Sequence, residues 1–290
     1  MNYIVHILII INIYVILTIS ANLVIGMVRM LSLGQAALYG IGAYLSVFAL
    51  MTLKLPLEAV AIFVMLGTSI ASLLVAYPSL RLRGDYFVLA TLGFQSIVFA
   101  ILYNWIPVTK GPYGISGIPA PKLFGILQIS GNVSFLLFSS VAAIVTIGFF
   151  YYLIHSPFGR VLKGIRDDEL AVMSLGRNVT AFKIWAFILS SAFTGLAGMI
   201  FATYISYIDP TSFGLDESIF ILAAVLIGGV GNLRGPAIGA VFVVLLPETL
   251  RFVGLPDYVA ANLRQIIYGL ALILLMRYRP QGLAGDYQIQ

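Results

Sequence analysis

Long apolar runs, broken by short charged or Gly/Pro-rich stretches, set the pattern of the chain. Candidate spans fall near residues 4–28, 33–53, 57–77, 86–104, 133–154, 183–206, 218–231, 236–253 and 262–276. Crossing about 30 Å of hydrocarbon takes about 20 helical residues, and backbone groups in lipid must bond within a helix or a closed sheet. The runs are continuous rather than alternating, so they predict helices and not barrel strands. The seventh is short, and Ile219–Val253 also reads as one broken helix pair, which leaves eight or nine crossings. The expected fold is therefore all-α, a polytopic membrane helical bundle forming one transmembrane domain over residues 1–290. The first run has no basic region before it and continues without charge to Arg29. That is too long for a signal-peptide core, and it is expected to be a retained span.

Composition agrees with lipid as the solvent. The chain is 61% hydrophobic and only 9% charged, with a mean hydropathy of +1.04, whereas soluble domains carry roughly 25% charged residues. There are no cysteines, which excludes disulfides, thiolate metal sites and cysteine nucleophiles. His6 and His155 stand far apart in sequence and suggest interfacial positions rather than a metal pair. A net charge of +5 is too small to suggest nucleic-acid binding.

The charge is better explained by topology, because basic residues are retained on the cytoplasmic side. With Ser156–Lys183 placed inside, Arg29, Arg81, Arg83, Arg160, Lys163, Arg166, Arg177, Lys183, Arg234, Arg277 and Arg279 also fall inside. Lys54, Lys110, Lys122, Arg251 and Arg264 fall outside, so the division is eleven against five. That alternation requires an outside N-terminus, a cytoplasmic C-terminus and nine crossings.

Charge is nearly missing from the middle of the spans, which argues against a coupling ion stored in this chain. The best intramembrane carboxylate is Glu248, one helical turn from Arg251 and toward the outer end; an ion-coupled secondary transporter would have to use it. No G-x-x-x-x-G-K-[ST] loop is present, and Gly228–Pro236 lacks the lysine and hydroxyl that hold phosphate and magnesium. Gly231, Gly235 and Gly239 instead suit a tight turn and close helix approach. The chain reads as a transport subunit and not an enzyme, with no cofactor and no metal site.

Several segments carry polar groups in a helical register. Ser156–Gly176 holds the densest charge, yet Val161, Leu162 and Ile165, then Ala171, Val172 and Leu175, recur at helical spacing. Asp167, Asp168 and Glu169 suit the start of a second short helix, and Gly176 its end. The apolar side of such a segment needs either a lipid surface or a partner's groove, and the acidic triplet favours a groove. In the second span Gln35 and Tyr39 share one face, and Ala36, Gly40 and Tyr44 another. Close packing and pore lining both fit them. Asp85 is placed to cap the fourth span, where Thr91 and Gln95 lie one turn apart and are weaker pore candidates. Ser191, Gly195, Gly198 and Ala202 form a small-residue stripe for tight packing.

Five of these segments, in order, resemble the permeases of branched-chain amino acid ABC importers. They are Gly34–Tyr44, Leu82–Tyr86 with Ala90–Phe94, Gly159–Gly176, Phe187–Gly198 and Gly228–Pro236, and the likeness extends over roughly residues 18 to 280. The Arg83-Gly84-Asp85-Tyr86 stretch is closer to the M-type permease than to its H-type companion.

The resemblance implies a type II-like ABC importer permease in the inner or plasma membrane. Its partners would be a second homologous permease, two cytosolic ABC ATPases and an extracytoplasmic solute-binding protein. Residues 156–182 would then couple to the ATPase, through Gly159, Arg160, Arg166, Asp167, Asp168, Glu169, Ala171, Leu175 and Gly176. The Glu-Ala-Ala signature of importer permeases is degenerate here, with Glu169-Leu170-Ala171 in its place. Gln35, Tyr39, Tyr44, Thr91 and Gln95 are the candidates for the substrate path. Related permeases carry branched-chain amino acids, urea or short amides.

Overall fold

The longest apolar runs become the longest helices in the computed structural model of the chain. It describes residues 2–252 apart from 80, 81, 83, 124–126 and 130, and beyond these only 263, 266, 267, 269, 270, 273, 274, 277 and 282–284. The predicted ninth span, 262–276, therefore lies largely outside the described residues.

The helices in order are α1 (Asn2–Ile25), α2 (Gln35–Met51), α3 (Leu57–Ser79), α4 (Asp85–Asn104), α5 (Ile106–Thr109), α6 (Asn132–His155), α7 (Pro157–Asp167), α8 (Glu169–Ser174), α9 (Val179–Ile205), α10 (Leu215–Gly228) and α11 (Arg234–Phe252). Among the described residues, six stretches are long and apolar enough to cross a membrane: 3–25, 57–79, 85–104, 132–155, 179–205 and 210–228. Two further apolar helices, Gln35–Met51 and Arg234–Leu246, are shorter.

Helix α9 runs through the centre and buries most of its length against α1, α2 and α3. The predicted small-residue stripe makes that possible. A Cβ on Gly42 of α2 would stand 2.4 Å from the Gly195 Cα, and one on Gly198 would stand 2.2 Å from the Tyr39 carbonyl. Gly228, Gly235 and Gly239 likewise bring α10 and α11 into backbone contact, while Gly231 serves the turn between them with φ +97°. Outward faces stay apolar, as on α3 (Ile62, Leu66, Ile70, Leu74) and α6 (Leu137, Val141, Ile144). Apolar side chains of that size on a bundle surface suit hydrocarbon contact.

The charged ends separate as the alternation predicts. One end gathers Arg29, Asp85, the α7–α8 segment and Lys183 around one cleft, and Lys163 with Arg234 around another. The opposite end carries Lys54 and Lys122 on a groove of their own. There the two-residue strands β1 (Ile115–Ser116) and β4 (Tyr207–Ile208) pair antiparallel, and β2 (Lys122–Leu123) pairs with β3 (Leu127–Gln128). By residues 282–284 the chain is back at the first end, where Ala284 N–H donates to the Gly228 carbonyl.

Capping follows local chemistry in most places. Ser156, Asp168 and Asn178 accept from backbone N–H groups at the starts of α7, α8 and α9. The fourth span differs from expectation. Its N-cap is Gly84 at φ +57°, and Asp85 sits inside the first turn without a capping bond.

Candidate functional site

Two chain breaks meet deep inside the bundle. After α1 ends at Ile25, residues 26–34 turn back into the interior, so that α2 begins beside the middle of α4 rather than at the bundle's end. The first N–H groups of a helix have no intrahelical acceptor and need one from elsewhere. Here other helices supply it: Leu33 N–H donates to Thr91 Oγ1 (3.1 Å), Ala36 N–H to Ser218 Oγ (3.0 Å) and Ala37 N–H to Gln95 Oε1 (2.6 Å). Gln95 is residue eleven of the twenty in α4.

The second break is the 3-10 turn Pro210–Phe213 before α10. It descends to the same level, where the Phe213 carbonyl accepts from Gln95 Nε2 at 2.7 Å and Ser218 Oγ donates to Gln95 Oε1 at 3.2 Å. Phe213 packs edge-on against Tyr39, Tyr44 and Phe201. Irregular backbone at membrane depth is tolerated only when buried in protein or lining a wet cavity. This junction meets the first condition.

The five substrate-path candidates therefore converge on one junction, though not as one open wall. Gln35, Tyr39, Thr91 and Gln95 are all at most 2% exposed, and Tyr44 is half-buried. Thr91 Oγ1 donates to the Val88 carbonyl of its own helix and accepts from Leu33 N–H ahead of α2, and Gln95 spends its amide on Ala37, Ser218 and Phe213. Gln35 Oε1 accepts from Thr194 Oγ1 at 3.2 Å, but among the described residues its Nε2 has no partner, and neither does the buried Tyr44 hydroxyl.

The reading of the sequence missed one charge. Glu217, between the predicted sixth and seventh spans, accepts from Tyr14 Oη at 2.6 Å, and Tyr14 stands midway along α1. Its neighbour Asp216 is exposed on the same turn. Residues 207–217 fall between the predicted spans, and their descent depends on Gln95 far away in sequence, so no local signal announces it. Glu248 of α11 accepts from the Tyr3 hydroxyl at the far end of α1; the side chain of Arg251, its predicted partner, lies outside the described residues.

At the charged end α7 and α8 fold as the two expected short helices, with Gly176 at φ +75° directly after them. Their apolar sides differ from expectation. Leu162 and Ile165 of α7 pack into the chain's own core with Val172 and Val179, rather than facing lipid or a partner. What faces outward is α8 and its flank: Leu170 is 68% exposed and Leu175 79%. Gly159 is buried where a Cβ would meet the Ile154 carbonyl at 2.4 Å, and Arg160 and Ala171 are exposed. Arg166 pairs with its neighbour Asp167 at 3.0 Å, Asp168 caps α8, and Glu169 turns inward to Lys183 of α9 at 2.8 Å. A cavity of about 510 Å³ lies between this segment and the loops that carry Arg29 and Asp85.

The profile of one family, described as branched-chain amino acid transport system / permease component, matches residues 3–276. The chain belongs to that family. Within it, the high-affinity branched-chain amino acid transport system permease protein LivM of Salmonella typhimurium is 35% identical over 295 aligned residues, covering 93% of this chain and 67% of the relative. The probable LivM of Methanocaldococcus jannaschii is 28% identical over 73% of this chain and 63% of that protein. The LivH permease of Salmonella typhimurium is 23% identical over 96% of this chain and 92% of its own length. No solved structure matches the chain.

Proposed function

We propose that the chain is a transmembrane permease subunit of an ATP-binding cassette importer, carrying branched-chain or related amino acids into the cytoplasm. Membership of the permease family carries this reading, and the architecture is in keeping with it. The α7–α8 segment is the docking site for one of two cytosolic ATPases, through the exposed Leu170 and Leu175. A second, homologous permease completes the pore, and a solute-binding protein delivers substrate at the opposite end. The charged end, with its arginines and lysines, faces the cytoplasm. Return of the chain to that end by Ala284 supports nine crossings, an outside N-terminus and a cytoplasmic C-terminus. Helices α2 and α10 need no full span of their own, because each begins inside the bundle.

Among the five substrate-path residues, Thr91 and Gln95 hold the junction together. Gln35 and Tyr44, whose buried Nε2 and hydroxyl lack partners among the described residues, are the two whose polar atoms are open to a solute when the junction rearranges.

The competing reading is an ion-coupled carrier. Glu248 serves it poorly, since its carboxylate is held by Tyr3 near a helix end; Glu217 is the better placed carboxylate. Reconstitution separates the two. The importer reading requires uptake only with ATP and the partner subunits, and no response to an ion gradient from this chain alone, with or without Glu217→Gln. Uptake by this chain alone under a proton or sodium gradient, abolished in Glu217→Gln, would replace the importer by the carrier.

A further inference from the structure

Helix α8 is six residues long, and of its side chains only Val172 is buried. Val172 rests on Gly164 of α7, 3.1 Å from where a Cβ there would stand. On one flank α8 borders the cavity that separates it from Arg29, Leu31, Asp85 and Phe87. On the other it continues into α9 through Gly176, a left-handed glycine turn. Neither the cavity nor a glycine turn passes a push along rigidly. Val172 also shares a buried cluster with Val179 at the very start of α9, and the tie that reaches farther along α9 is the ion pair between Glu169 Oε2 and Lys183 Nζ at 2.8 Å, with the side chains 34% and 13% exposed.

Lys183 lies in the second turn of α9, a helix of 27 residues. Farther along the same helix, Gly195 and Gly198 press against Gly42 and Tyr39 of α2, and Gly195 also against Thr68 of α3. Packed helices in backbone contact move together, since no compressible layer separates them. The sequence assigned Glu169 to the ATPase interface; its carboxylate points the other way, into its own chain.

We infer that Glu169 and Lys183 form a transmission link that makes α9 follow α8, and thereby delivers motion of the docking segment to the α2 junction. Both are positioning residues, and the inference rests on the importer reading above. A charged link suits the task, because its partly sheltered pair holds α8 at a fixed height on α9 while Leu170 and Leu175 stay free to dock. Removing either charge loosens the hold of α8 on α9, so that hydrolysis continues while the pore responds less.

The test is the number of solute molecules imported per ATP hydrolysed, measured in vesicles holding the complete importer. Lys183→Gln and Glu169→Gln should each lower that ratio about fivefold or more, a size typical of coupling mutations. Lys183→Arg should stay near the wild-type ratio, and the exchanged pair E169K/K183E should recover most of what either single change loses. A pair that only stabilises the fold would lower uptake and hydrolysis together and leave the ratio alone. A wild-type ratio in Lys183→Gln, or an exchanged pair no better than the single variants, would overturn the link. Wild-type vesicles that hydrolyse ATP but import nothing would remove the importer reading and the link with it.

Discussion

Gln95 uses both ends of its amide, accepting from the Ala37 N–H and Ser218 hydroxyl and donating to the Phe213 carbonyl. Removing it strands a buried helix N-terminus and a buried carbonyl at once, each costing about 1–3 kcal/mol when left unsatisfied. Gln95→Ala should therefore destabilise the purified protein by about 2 kcal/mol or more, read as a lower melting temperature in detergent. Ser96→Ala on the exposed face of the same helix should change it by less than about 0.5 kcal/mol. Equal melting temperatures for the two variants would refute the junction. Glycines divide in the same way. Gly198→Ala puts a Cβ 2.2 Å from the Tyr39 carbonyl and should be strongly destabilising, whereas Gly93→Ala enters open space and should be tolerated. Thermal unfolding of the two single variants checks this, and a Gly198→Ala protein as stable as wild type would contradict the described contact between α2 and α9.

Helices were legible where hydrophobicity alone decides them. The runs around α1, α3, α4, α6 and α9 were placed to within a few residues, because a lipid-crossing helix must be continuously apolar. Helices α2 and α10 were also placed to within three residues, but their depth in the bundle was not legible. Both α2 and α10 start where Gln95 and Ser218 hold them, and that depth is set by contacts between residues 58 to 182 positions apart. For the same reason Glu217 fell between the predicted sixth and seventh spans. The small helices α7 and α8 were visible in their caps, Asp168 and Gly176, but not in their orientation. Amphipathic spacing tells that Leu162 and Leu175 want cover, not which of them finds it within the chain. The arrangement makes a prediction for α8. Leu175→Arg alters an exposed side chain, so the protein should insert and melt as wild type, while co-purification with the cytosolic ATPases should be lost. Retained ATPase binding would move the docking surface elsewhere.

At the scale of the whole molecule, the sorting of charge predicts a topology that can be tested cleanly, because the sequence has no cysteine. A lone cysteine replacing Lys163 should be labelled by an impermeant thiol reagent only from the cytoplasmic side, and one replacing Lys110 only from the outside. The reverse pattern would turn the docking segment away from any cytosolic ATPase. Energy supply is the other property that belongs to the molecule as a whole. The proposal that this subunit is driven by others rests on its family and on the outward-facing α8. The most direct measurement is solute uptake into sealed vesicles holding this chain alone or with its second permease, ATPases and binding protein. The account predicts accumulation only in the complete set and only with ATP; accumulation by the single chain, powered by an ion gradient, would contradict it.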